Sequence, residues 1–103
     1  MFAIEGKEYD LKFNLKRIQL IENTLGGKSF MSMAKETGGL FGITELMTMT
    51  AFALRESGED MFVPYKKGME IAEELLCTKG YEAVCEAVLE QIQKDCPFFF
   101  RAG

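Results

Sequence analysis

Between Ile43 and Arg55 the chain is apolar on nearly every side of a helical wheel, with Leu46, Met47, Met49, Ala51, Phe52, Ala53 and Leu54 confined to no single stripe. A helix that is apolar all round has no face to give to water, so it belongs at the centre of whatever the chain builds. The rest of the sequence must then supply amphipathic cover for it. At 103 residues the chain has single-domain length, and a domain of that size buries roughly two-thirds of the surface its unfolded form exposes. One core is available, and this helix is expected to be its axis.

Four segments read as cover. The clearest is 81–95, where Tyr81, Val84, Cys85, Val88, Leu89 and Ile92 follow the 3, 4, 7, 8 spacing of a half-buried helix, with Glu82, Glu86 and Glu90 four apart on the solvated side. Pro97 forbids its continuation past Cys96. Before it, Pro64 suits the first turn of a helix carrying Met69, Ala72, Leu75 and Leu76 and ended by Lys79-Gly80. Near the start, Asn14 can cap a helix bearing Leu15, Ile18, Ile21 and Leu25 until Gly26-Gly27 stops it, and Ser29 can cap a shorter one to about Glu36. Gly38, Gly39 and Gly42 then break the chain, which reads as a hinge loop, and Ser57-Gly58-Glu59-Asp60 reads as a polar loop.

Residues 2–13 follow the other period: Phe2, Ile4, Tyr9, Leu11 and Phe13 alternate with polar neighbours around a Gly6-Lys7 turn, the pattern of a hairpin. Only two strands are evident, and an isolated hairpin is marginal in water. It must pack on the helices or pair its edge with another chain, and self-association is expected on that ground. The predicted fold class is mainly α: a small bundle of four to five helices with a short N-terminal β-hairpin, one domain over 1–97, and a C-terminal tail over 98–103.

The composition is informative chiefly about chemistry. There is no histidine, so the commonest general base and a leading zinc ligand are missing, and the usual serine or cysteine triads cannot be assembled. Gly27-Lys28-Ser29 imitates the end of a phosphate-binding loop, but the first glycine of that pattern falls on Glu22. Gly38-Gly39-Leu40-Phe41-Gly42 lacks the dinucleotide spacing. Glu73 with Glu74, or Glu86 with Glu90, could be imagined as acid and base but read as solvated helix faces. Cys77, Cys85 and Cys96 are too widely spaced for a zinc clamp and read as reduced thiols. No catalytic residue, cofactor site or metal site is expected, and the protein is read as no enzyme. Twelve basic against sixteen acidic side chains, a net charge of −4, argue against nucleic acid or anionic membrane as a partner. Without a charged-then-apolar leader or a stretch near the ~20 apolar residues that span a bilayer, a cytoplasmic location is expected.

Protein partners are what remain. Seven methionines exceed ordinary use, and Met side chains suit surfaces that adapt to a partner as well as irregular cores. Phe30, Met31 and Met33 lie beside the glycine break, where they could be exposed. Phe98, Phe99 and Phe100 are adjacent and cannot all face one core, so some of them either dock on a partner or close over the protein's own bundle. These six are the candidate partner-binding residues.

The order of these elements carries a resemblance. A hairpin ending in Glu8-Tyr9-Asp10-Leu11-Lys12-Phe13-Asn14-Leu15, a helix closed by Leu25-Gly26-Gly27-Lys28-Ser29, an apolar helix with Ala51-Phe52-Ala53-Leu54-Arg55, and a last helix ending Cys96-Pro97-Phe98 together resemble the tail assembly chaperones of long-tailed phages and prophages. The likeness covers most of the chain and rests on pattern, with no catalytic motif in it. It implies a small helical protein that coats the tape measure protein, keeps it soluble in the host cytoplasm until tail tube subunits polymerise around it, and is absent from the finished virion. In many members of the family a ribosomal frameshift appends a second domain to some copies. The glycine-rich middle, 38–42, and an ending at Gly103 depart from the family pattern. A small interaction adaptor and a minor virion tail protein stay open as alternative readings.

Overall fold

The computed structural model describes residues 2–99. In chain order these form β1 (Phe2–Ile4), β2 (Lys7–Leu11), α1 (Leu15–Thr24), α2 (Phe30–Thr37), α3 (Ile43–Ala53), β3 (Leu54–Glu56), α4 (Tyr65–Lys79), α5 (Tyr81–Asp95) and a closing 3-10 turn at Pro97–Phe99. The architecture is a mainly α bundle whose N-terminal hairpin belongs to a small antiparallel sheet.

The all-apolar segment sits where its composition requires. In α3, Leu46, Met49, Ala51 and Ala53 are buried, and the helix packs against α1, α4 and α5. Thr48 and Thr50 are buried with them, which is tolerable because each hydroxyl donates to a carbonyl one turn back, Thr44 O and Leu46 O, at 2.8 Å. The crossing with α4 is close enough to exclude a side chain. Gly68 is buried against α3, and a Cβ there would lie 2.6 Å from the Ala51 carbonyl oxygen.

Local signals set the other helix ends. Asn14 Oδ1 accepts from Arg17 N at 2.8 Å, and Ser29 Oγ accepts from Ser32 N at 3.3 Å. The start of α2 has a second acceptor, the Glu22 carboxylate, 2.7 Å from Phe30 N. Each of these side chains pairs an amide that the helix itself leaves without a partner. At the other end of α2, Gly38 takes the left-handed conformation (φ 64°) that a side chain disfavours.

Two expectations are corrected. The hairpin turn is Glu5-Gly6, one residue earlier than the alternation suggested, with both residues at positive φ (49° and 80°) as a type I′ turn requires. More consequentially, the apolar segment does not stay helical to Arg55. At Leu54 the backbone becomes extended, and Leu54–Glu56 form a third strand with Leu11, Asp10 and Tyr9 as register partners of Leu54, Arg55 and Glu56. A segment apolar on all sides carries no periodic mark of where helix gives way to strand, so pairing with a distant strand decides it. The outer side of β3 is met by the 62–63 segment, through an Arg55–Phe62 bridge and a 2.9 Å bond from Val63 N to Leu54 O. The hairpin is therefore covered on the β2 side, and β1 forms the outer edge of the sheet.

The sheet is fastened to the last helix by one carboxylate. Asp95 accepts from the Phe13 amide at 2.9 Å and Gln91 Nε2 at 3.0 Å, and pairs with Lys12 Nζ at 3.2 Å. Burial alone would push its pKa up, but these three donors outweigh it and hold the carboxyl below its ordinary value.

Candidate functional site

The six candidate residues divide. Phe30 and Met33 are 1% and 3% exposed and belong to the core, so the expectation that they lie open beside the glycine break is overturned for both. The caps at Ser29 and Glu22 orient α2 so that its 30, 33, 34, 37 stripe turns inward. Met31 flanks that stripe and is half-buried. Phe98 is 46% exposed, whereas Phe99 is half-buried. Phe100 lies outside the described residues.

Three of the six are brought together. The Phe99 ring stacks on Phe30 with centroids 5.8 Å apart and planes 18° from parallel; Phe98 packs on Phe99 at 4.8 Å, and Phe30 on Phe41 at 5.8 Å. An aromatic row thus runs from the exposed Phe98 to the fully buried Phe41. Phe98 and Phe99 turn back toward the bundle, with Phe99 N donating to Cys96 O at 3.1 Å.

This row also fixes how α2 lies. Phe30, at the start of α2, stacks on Phe99 just past the end of α5, and Gly39, two residues beyond the end of α2, packs on Leu89 within α5. The glycine break, read from sequence as a hinge, is anchored to α5 on both sides of Leu40. Gly39 is buried at φ 88°, so close that a Cβ would meet Leu89 Cδ1 at 2.7 Å. Phe41 is buried, and its carbonyl accepts a hydrogen bond from the Tyr81 hydroxyl. Burial comes first among the influences that push the Tyr81 hydroxyl's pKa up, followed by the neighbouring Cys85 thiol.

Between these anchors Leu40 is held outward, 57% exposed. It forms one wall of a groove of about 310 Å³ whose other wall is α5. The apolar lining comes from Gly39, Leu40, Cys85 and Leu89, and Glu82, Glu86 and Glu90 stand along it. All three glutamates are exposed, and none is in an ion pair among the described residues. Sequence reasoning missed this groove because helical spacing assigned Leu89 to the core and the connector to a hinge. The available signal was an apolar residue, Leu40, set in a glycine-rich connection.

A second depression, of about 350 Å³, lies beside Tyr9, Met61, Phe62 and Val63. Its charges are mixed, with Lys7 and Lys67 beside Glu56 and Glu59 and Lys7 paired to Glu56 at 3.6 Å. It therefore presents no single sign of charge to a ligand. Among the described residues no cluster of three or more metal-ligating side chains is gathered, and no helix is long and apolar enough to cross a membrane. Compared with known proteins, the chain matches no family model, no curated protein and no solved structure.

Proposed function

We propose that the protein is a non-catalytic binder of helical clients and serves as a tail assembly chaperone of a long-tailed phage or prophage. It holds the tape measure protein soluble in the host cytoplasm and helps recruit tail tube subunits. The observation that carries this reading is the outward-held Leu40 beside a line of glutamates that have no ion-pair partner among the described residues, with a second exposed apolar residue, Phe98, past the end of the same helix. The sequence resemblance supplies the particular client.

Magnitude supports a chaperone over a permanent partner. Fully burying a Leu or Phe is worth roughly 1.5–3 kcal/mol, so covering side chains that are only half exposed gains about 1 kcal/mol each. Association costs several kcal/mol in lost freedom, and a few such contacts leave a weak, reversible complex. A protein that must release its client to the growing tube needs that reversibility. The test is co-expression with a tape measure protein: the soluble fraction of the client rises if the reading is right. An unchanged fraction across several salt concentrations would reject it. The same groove would suit a small intracellular adaptor, and tail tube and tape measure genes beside this one would favour the chaperone.

A further inference from the structure

We infer that the groove between the 38–42 connection and α5 receives one amphipathic helix of the client, with an apolar ridge seated on Leu40 and Leu89 and Lys or Arg along the flank facing Glu82, Glu86 and Glu90. The inference rests on the binder reading above and specifies its face and its ligand chemistry.

Charge complementarity identifies the flank. The three glutamates stand at i, i+4 and i+8 of α5, one every ~6 Å along the axis. Like charges four apart weaken a helix, and among the described residues none of the three is in an ion pair, although Lys94 lies one turn beyond Glu90. Cations four apart on a guest helix fall at the same interval, so a guest lying along α5 meets all three at once. Backbone chemistry identifies the guest as a helix. The walls of the groove are a helix and a connector, with no sheet edge, so an extended segment would lose hydration without gaining main-chain partners. A helix brings its own backbone bonds. Leu40 is suited to meet its ridge because Gly39 against Leu89, and Phe41 in the core, hold the connector at a set height.

The probe is a fluorescein-labelled helix of about 18 residues built from Leu, Ala and Lys, with a Leu ridge flanked by lysines four apart. Two control peptides accompany it, one of the same composition scrambled to abolish the ridge and one with Glu for Lys. Fluorescence anisotropy should show the ridge peptide binding and both controls failing. Glu82→Gln, Glu86→Gln and Glu90→Gln together should weaken binding about tenfold at low salt and remove most of its salt dependence. Leu40→Ser should weaken it severalfold at any salt. Both changes are at exposed positions, so the melting temperature should hold. The α4 triple Glu70→Gln, Glu73→Gln, Glu74→Gln removes the same charge elsewhere and should leave binding intact. Failure of the ridge peptide to bind, equal binding of the scrambled peptide, or an equal loss from the α4 triple would overturn the inference. A client solubilised although the ridge peptide fails to bind removes the groove and leaves the chaperone reading standing. A bound ridge peptide with no effect on the client does the reverse.

Discussion

Asp95 shows how much one side chain can join. It sits at the end of the last helix yet pairs with Lys12 and Phe13 after the second strand. Its folded-state pKa lies below the unfolded value, so its contribution to stability is present above the unfolded value near 4 and is lost as pH falls through the folded one. Asp95→Ala should cost roughly 1–3 kcal/mol at neutral pH, chiefly by leaving the Phe13 amide without its acceptor. Denaturant titrations from pH 6 to pH 2 should show that the variant loses less stability across the acid limb than the parent. The phenylalanine run makes a second residue-level case. Its double nature was legible, since three adjacent rings cannot share one core, but which ring turned inward was not, because the deciding partner is Phe30, far away in sequence. Phe99→Ser should cost about 2 kcal/mol, lowering the melting temperature by about 8–16 °C. Phe98→Ser should shift it by less than about 4 °C.

Helices were the legible elements. Asn14, Ser29 and Gly80 mark ends that the structure keeps, because caps and glycines act through neighbouring backbone and need no distant partner. β3 was illegible for the opposite reason: Leu54, Arg55 and Glu56 become a strand only because Leu11, Asp10 and Tyr9 are there to pair with them. Gly68 sets local preference against packing most sharply. Within a helix, Gly→Ala is worth about 1 kcal/mol in favour of folding. At this position the new Cβ would meet the Ala51 carbonyl oxygen at 2.6 Å, and backbone has to move to admit it. Overpacking of that kind costs roughly 1–3 kcal/mol, so Gly68→Ala should destabilise the protein where propensity alone predicts a gain. Thermal melts of the two proteins decide which effect wins.

At the scale of the molecule, the central helix and its amphipathic cover follow from hydrophobic pattern, while the groove does not. Its walls are contributed by the connection after α2 and by α5, and the pattern of either segment alone describes only a loop or a half-buried stripe. The predicted residues Phe30 and Met33 are buried in the core, whereas the groove is lined by Leu40, which reads from sequence as part of a hinge, and Leu89, which reads as part of a core stripe. The proposal to be tested is that this face keeps a helical client soluble. Its most direct measurement is the soluble fraction of a co-expressed tape measure protein, compared among three conditions: no partner, the parent chain, and a chain carrying Glu82→Gln, Glu86→Gln, Glu90→Gln and Leu40→Ser. The parent should raise the soluble fraction several-fold, and the groove variant, though equally abundant and folded, should return it to near the level without a partner. A client left insoluble by the parent chain, or rescued equally well by the groove variant, would contradict it.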